Sequence, residues 1–252
     1  MIVSILMPFY NRRNFIPLII QNVKNQTFPA DKLRLIIDDD SEQSLEPEEI
    51  QHIAEQISPT QLIYVKTPRK TIGKKRNDMN KYVLKNYGKN SIVANMDTDD
   101  LYNPIYIENG VKQIIKEGFS CVGSSEMLFT FPYDNYKMTF IRCNNIKLIH
   151  EASMIHTTQF WRASGGYNNN MTGEGTQLLS GFNSRLILDE SVKKIMICIS
   201  HNNNTIDKSK FSDNRFNIGQ KLHFKDQELI DKCLDLPTYR RAPDFGTYIP
   251  AS

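Results

Sequence analysis

The chain has 252 residues, 40% of them hydrophobic and 10% aromatic, enough for a full core in one large domain or one domain with an appendage. A formal net charge of +3 is too small to argue for nucleic acid, and none is expected as a partner; no apolar run approaches the roughly 20 residues of a membrane span. Four separated cysteines (Cys121, Cys143, Cys198, Cys233) make no C-x-x-C pair, which disfavours structural zinc and fits a reducing compartment. Met1 leads straight into an apolar run with no basic n-region, so a soluble, cytoplasmic protein is expected.

In chain order, Ile2 to Met7 reads as a strand ending in Pro8-Phe9-Tyr10-Asn11. Phe15, Leu18, Ile19, Ile20 and Val23 then recur at helical spacing. Leu33 to Ile37 is a second strand, ending in Asp38-Asp39-Asp40-Ser41, and a helix carrying Ile50, Ile53 and Ile57 is stopped by Pro59. Leu62 to Val65 is a third strand. A helix from Ile72 to Tyr87 breaks at Gly88, and Ile92 to Met96 is a fourth strand. Strands alternating with helices imply βαβ units and a mainly parallel sheet, with ligands bound outside the carboxyl ends of the strands. All three polar clusters, at Tyr10, Asp38 and Asp97, therefore fall on one edge.

The fourth strand runs into Asp97-Thr98-Asp99-Asp100. Three carboxylates in four residues repel one another, and burying them unpaired is costly. Oxygen ligands at a strand end suit a hard divalent cation, Mg²⁺ or Mn²⁺, which keeps several waters and takes further oxygens from substrate phosphates. The plainer reading is a solvated acidic turn capping a helix that starts near Pro104. The basic run Arg69-Lys70-Thr-Ile-Gly-Lys74-Lys75-Arg76 suits a phosphate-facing loop or an ordinary solvated face.

The segments Val3 to Arg12, Gln26-Thr27-Phe28, Ile36 to Ser41, Arg76-Asn77 and Met96 to Asp100 occur in that order. Together they resemble the nucleotide-binding half of the family-two glycosyltransferases, across residues 1–110. The resemblance implies a GT-A fold: a Rossmann-like, mostly parallel sheet flanked by helices, with a smaller mixed or antiparallel acceptor-side extension. It divides the chain into one domain over 1–210 (nucleotide-sugar half 1–110, acceptor and catalytic half 111–210) and a C-terminal helix with an irregular tail over 211–252.

By that resemblance Asp99 is the direct metal ligand, with Asp97, Asp100 and the late His201 completing or supporting the set. Asp97 and Thr98 also meet the donor. Asp38 and Asp39 would take the nucleobase imide, which favours uridine. Pro8, Phe9, Tyr10 and Asn11 would wall the base and ribose, and Arg76 would meet a phosphate or base edge. In the second half Phe119 to Val122, Met127 to Phe131, Lys137 to Ile141 and Ile146 to Ile149 read as short strands. Ser153 to Tyr167 resembles the family's strand, short helix and Gly-Gly-aromatic turn, where Trp161 and Tyr167 would stack on a sugar or fill the core. Glu174 then stands as general base, opening a helix. The family usually has a Glu-Asp pair there, and this chain has Glu174-Gly175. Ile195 to Ser200 reads as a strand leading to His201, and Asp226 to Leu234 as a helix.

The expected reaction is metal-dependent transfer, with inversion, from a nucleotide-diphosphate sugar to a hydroxyl of a glycan, glycoprotein or glycolipid, with a weak homodimer as the most assembly envisaged. A weakened relative that binds nucleotide or glycan without transfer is the alternative, motivated by Gly175. A nucleotidyltransferase is disfavoured because no Gly-rich phosphate loop follows the first strand.

Overall fold

A computed structural model of the chain describes residues 1–180 and 185–236, with the backbone of 247–248. The first half alternates strand and helix: β1 (Val3–Phe9), α1 (Ile16–Lys24), β2 (Leu33–Asp39), α2 (Pro47–Ile57), β3 (Gln61–Lys66), α3 (Ile72–Tyr87) and β4 (Ile92–Asn95). Then come β5 (Asp100–Tyr102), α4 (Tyr106–Glu117), β6 (Cys121–Gly123), β7 (Met127–Phe131), β8 (Lys137–Ile141), β9 (Ile155–Thr157), α5 (Thr158–Ala163) and α6 (Thr176–Ser180). The chain continues with β10 (Ile187–Asp189), β11 (Met196–Ile199), β12 (Asn217–Leu222), α7 (Phe224–Leu234) and β13 (Thr247–Tyr248).

A seven-stranded sheet has the order β10-β6-β9-β4-β1-β2-β3. Its strands are parallel except β9, which runs antiparallel to both β4 and β6. Because side chains alternate along a strand, β1 feeds two cores. Val3, Ile5, Met7 and Phe9 pack with Leu18 and Val23 of α1, Ile53 of α2 and Ile107 of α4. Leu6, with Ile36 and Val93 of its neighbours, packs against Met79 and Val83 of α3. Helices thus cover both faces, as parallel sheets require.

The second sheet, in the order β13-β12-β8-β7-β11-β5, is mixed and has six strands. Its strand β5 pairs antiparallel with β11 (Asp100↔Cys198, Leu101↔Ile197), and this brings the chain after β11 back to the end of β4. α7 docks on the first half, where Asn14 Nδ2 donates to the Cys233 carbonyl at 2.5 Å, and on the second, where the Tyr136 hydroxyl donates to Asp231 Oδ1 at 2.6 Å.

The periodic elements lie where the sequence places them, and α3 spans Ile72–Tyr87 with Gly88 (φ 87°) ending it. Ile146 to Ile149 is not a strand. Ile146–Leu148 forms a 3-10 turn, capped by Asn145 Oδ1 accepting from Lys147 N at 3.0 Å, a local bond that competes with ladder pairing. Strands β5, β10 and β12 were not expected. β5 hides within the acidic run, β10 is three residues long, and β12 is largely polar. Of the tail, Pro237, Pro243, Gly246 and Pro250 lie outside the described residues.

Candidate active site

The end of β1 alternates sides. Pro8 and Tyr10 face a cleft that Asp97 and Asp99 also line, and the Tyr10 ring carries the Arg69 guanidinium 3.5 Å from its centroid. Phe9 points the other way and is 1% exposed in the core, so it is not part of a wall around a base. Asn11 turns the chain with φ 50°, and its amide donates to Ser41 Oγ at 2.8 Å.

The acidic run after β2 is spent on the protein itself. Asp38 accepts from Thr67 Oγ1 at 2.6 Å and pairs with Lys70 at 2.7 Å. Asp39, fully buried, accepts from Ser41 N (2.8 Å), Leu45 N (3.3 Å) and the Tyr64 hydroxyl (2.5 Å). Asp40 is bound by Lys75, Arg69 and the Lys70 amide. Burial pushes Asp40 up, but these three partners outweigh it and hold the carboxyl below its ordinary range. Neither Asp38 nor Asp39 lines the cleft. Both build the turn beneath it rather than facing a base.

The run after β4 is arranged otherwise. Asp97 and Asp99 both line the cleft. Asp97 accepts from Arg76 Nη2 at 2.9 Å, and its amide donates to the Tyr102 hydroxyl oxygen at 2.7 Å. Thr98 is buried beside them. Asp99 Oδ2 meets His201 Nε2 at 2.9 Å and Arg12 Nε at 3.2 Å. Burial raises this carboxyl, yet the His201 bond and the Lys208 and Arg12 charges outweigh it and keep it well below the usual carboxylate range. Asp100 turns inward, accepting from Ile199 N at 3.1 Å with Lys208 Nζ 3.6 Å away. Its burial, against Lys208 and reinforced by Asp99 and Asp97, lifts it to about 7. The run does not cap α4, whose N-cap is Ile105, with the Ile105 amide donating to Asn103 Oδ1.

Arg76 is 1% exposed, not a solvated helix charge. Its Nε donates to Glu174 Oε1 at 3.0 Å while Nη2 holds Asp97, so one guanidinium bridges the expected base and the acidic run. Nη1 is buried with no partner among the described residues. The close fit comes from Gly73, where a Cβ would lie 1.7 Å from the Asn168 carbonyl oxygen and 3.1 Å from Glu174 Cβ. Without a side chain there, the first turn of α3 docks on the loop that carries Glu174, and Gly73 N donates to the Asn170 carbonyl at 3.1 Å. Glu174 is 4% exposed. Burial raises its carboxyl, Arg76 opposes, and neighbouring Glu151 adds to the rise.

Trp161 and Tyr167 belong to the core. Trp161 Nε1 donates to Asn77 Oδ1 at 2.9 Å, and the Tyr167 hydroxyl sits between Asn95 Nδ2 (2.8 Å) and His156 Nε2 (3.0 Å). Lys75 of the basic run lines the cleft, as a phosphate-facing position requires, and three residues with no expected role reach it too: Arg12, Glu151 and Lys208. Arg12 lies in a quoted motif and Lys75 in the basic run, but Glu151 and Lys208 carry no local signal.

Among the described residues no three His, Cys, Asp or Glu side chains converge as a ready metal cage. The reason is that each expected ligand already has a partner: Arg76 for Asp97, His201 and Arg12 for Asp99, Ile199 N for Asp100. Two cleft-facing carboxylates still suit a hard cation that completes its shell with water and substrate oxygens. Asp100 borders the same cleft, but its carboxylate is already taken up by Ile199 N and by Lys208 beside it.

A family profile described as Glycosyl transferase family 2 matches residues 4–171. Among solved structures the chain is similar to the mannosyltransferase PcManGT from Pyrobaculum calidifontis in complex with GDP-Man and Mn²⁺. Identity is 17% and the TM-score 0.57, over 83% of this chain and 58% of that one. It is similar to S. aureus TarS 1-349 in complex with UDP-GlcNAc at 15% identity and a TM-score of 0.60, over 81% of this chain and 60% of that one. S. aureus TarS itself matches at 16% identity and a TM-score of 0.58, over 79% of this chain and 37% of that one. The chain thus spans three fifths or less of the length of these structures, and at such identities the likeness is one of fold. No curated protein matches the sequence. No described helix is long and apolar enough to cross a membrane.

Proposed function

The chain belongs to glycosyl transferase family 2 and has the GT-A fold, and on that premise we propose that it transfers a sugar from a nucleotide-diphosphate sugar to a hydroxyl acceptor with inversion. The observation that carries this reading is the Arg76 bridge, which ties a buried carboxylate, Glu174, to the cleft-facing run at the end of β4. The nucleotide would enter between Tyr10 and the Asp97–Asp99 edge, with Pro8 and Arg69 beside it. Asp97 and Asp99, with His201 adjoining, would hold a divalent cation, Mn²⁺ or Mg²⁺. When bound, such a cation supplies neutralisation of the charge that develops on the departing diphosphate.

Glu174 is the proposed general base, and burial suits it by raising its proton affinity toward the working pH. Arg76, the full cation beside it, keeps the carboxylate ionised and oriented. A nucleoside-diphosphate sugar is the proposed donor, with uridine no longer favoured once Asp38 and Asp39 are bound within the protein, and a glycan, glycoprotein or glycolipid is the proposed acceptor.

Gly175 favours a second reading, a weakened relative that binds a donor without transferring it. Incubation with UDP-N-acetylglucosamine or GDP-mannose and Mn²⁺ separates the two. Release of UDP or GDP, lost in Glu174→Gln, supports transfer. Nucleotide binding without release supports the weakened relative. Release of pyrophosphate contradicts both.

A further inference from the structure

Gly175 stands where the resemblance calls for an acid, and the space its side chain would occupy is filled. A Cβ on Gly175 would lie 2.7 Å from Glu151 Cγ and 3.0 Å from Glu151 Oε1. The Gly175 amide donates to that same oxygen at 2.9 Å. Gly175 is not among the residues with left-handed backbone, so conformation does not demand glycine there. The neighbouring side chain does.

Glu151 is also held firmly from behind. It opens the 3-10 turn Glu151–Ser153, whose Ala152 and Ser153 are buried. The Glu151 carbonyl accepts from Asn95 Nδ2 at 2.8 Å, and the Ala152 carbonyl accepts from the Tyr102 hydroxyl at 3.1 Å. The same Tyr102 oxygen accepts from Asp97 N, so the turn that carries Glu151 is tied to both β4 and the acidic run. Its side chain lines the cleft with Asp97, Asp99 and Glu174. Glu174 is committed to Arg76, whereas no ion pair holds Glu151 among the described residues.

We infer that Glu151 supplies the second carboxylate of a two-carboxylate base with Glu174, reaching in from another part of the chain to do what an acidic side chain at position 175 would do. This rests on the transfer reading above. The acceptor O–H proton passes to Glu174, with the Glu151 carboxylate beside it raising its proton affinity, as the acceptor oxygen bonds to the anomeric carbon. The bond from that carbon to the diphosphate oxygen breaks, and its electron pair leaves with the nucleoside diphosphate. Two carboxylates sharing one site take up a proton more readily than one alone, in keeping with the rise that Glu151 adds to Glu174.

The test moves the carboxylate from one position to the other. Turnover is read as UDP or GDP release from UDP-N-acetylglucosamine or GDP-mannose with Mn²⁺, beside nucleotide affinity and Tm. Glu151→Gln is expected to lose about 100-fold or more in turnover while keeping nucleotide affinity. Gly175→Asp alone is expected to lower Tm because its Cβ meets Glu151. Combined with Glu151→Gly, it is expected to recover Tm and to turn over about tenfold or more faster than Glu151→Gly alone. The inference is overturned if Glu151→Gln turns over like wild type while Glu174→Gln does not. It is equally overturned if the double variant folds and binds nucleotide yet regains no turnover. Wild type that releases neither nucleotide refutes the transfer reading itself, a different outcome from either.

Discussion

The acidic runs after β2 and β4 look alike in sequence, three carboxylates each at the end of a parallel strand, yet they are put to different use. After β2 every carboxylate is bound by backbone amides, Tyr64, Thr67 or the cations of the basic run, and none of the three lines the cleft. After β4 the backbone enters β5, so Asp97, Asp99 and Asp100 all border the cleft, with Asp100 also bound from behind by Ile199 N of its pairing partner β11. A run of acids is therefore not a site by itself. What separates the two is how many backbone amides and cations the surrounding loops aim at each carboxylate.

Breaking the β4 side should affect chemistry most. Glu174→Gln, which keeps the shape of the Arg76 contact, is expected to lower turnover by about 10²- to 10⁴-fold with nucleotide affinity retained. A steady-state assay of nucleoside diphosphate release checks this, and a loss confined to KM would contradict it.

Breaking the β2 side should cost stability instead. Asp39→Ala strands Ser41 N and the Tyr64 hydroxyl proton and leaves Leu45 N with the Tyr64 oxygen alone, with an expected loss of about 2 to 3 kcal/mol in urea unfolding. A loss below about 1 kcal/mol would mean that the turn rearranges around the gap.

The same contrast has a pH signature. Asp40 is held below its ordinary value of 3.8, so the folded state binds fewer protons there than the unfolded chain. Its stabilising contribution is complete above that value and is lost as pH falls through the lower folded one. Asp40→Asn should therefore start with a lower Tm and lose less of it than wild type on acidification below about pH 4. The smallest effect is expected at Arg69, nearly half exposed over the Tyr10 ring. Arg69→Ala should weaken nucleotide binding only a few-fold, as an exposed cation–π and ion-pair contact of about 1 kcal/mol implies.

Much of the first half was legible because period-two and period-3.6 patterns are local. The βαβ order, the break at Gly88 and the shared edge of the strands all follow from them. His201 could be placed at a strand end, but its meeting with Asp99 depends on the β5–β11 ladder, which no local pattern announces. Phe9 was misassigned because a motif was read as a block when its side chains alternate. Asp39 and Arg76 were assigned by type, whereas their partners are fixed by packing: Tyr64 from β3 for one, the docking allowed by Gly73 for the other. Glu151 carried no signal, since its significance depends on the atom missing at Gly175, far away in sequence.

The most direct measurement is calorimetric titration of UDP and of GDP, with and without Mn²⁺, into wild type, Asp99→Asn and Asp39→Asn. The predicted result is Mn²⁺-dependent binding of one nucleotide, abolished in Asp99→Asn and preserved in Asp39→Asn. Binding that survives Asp99→Asn unchanged, or no binding of either nucleotide with metal, would contradict a donor site at the end of β4.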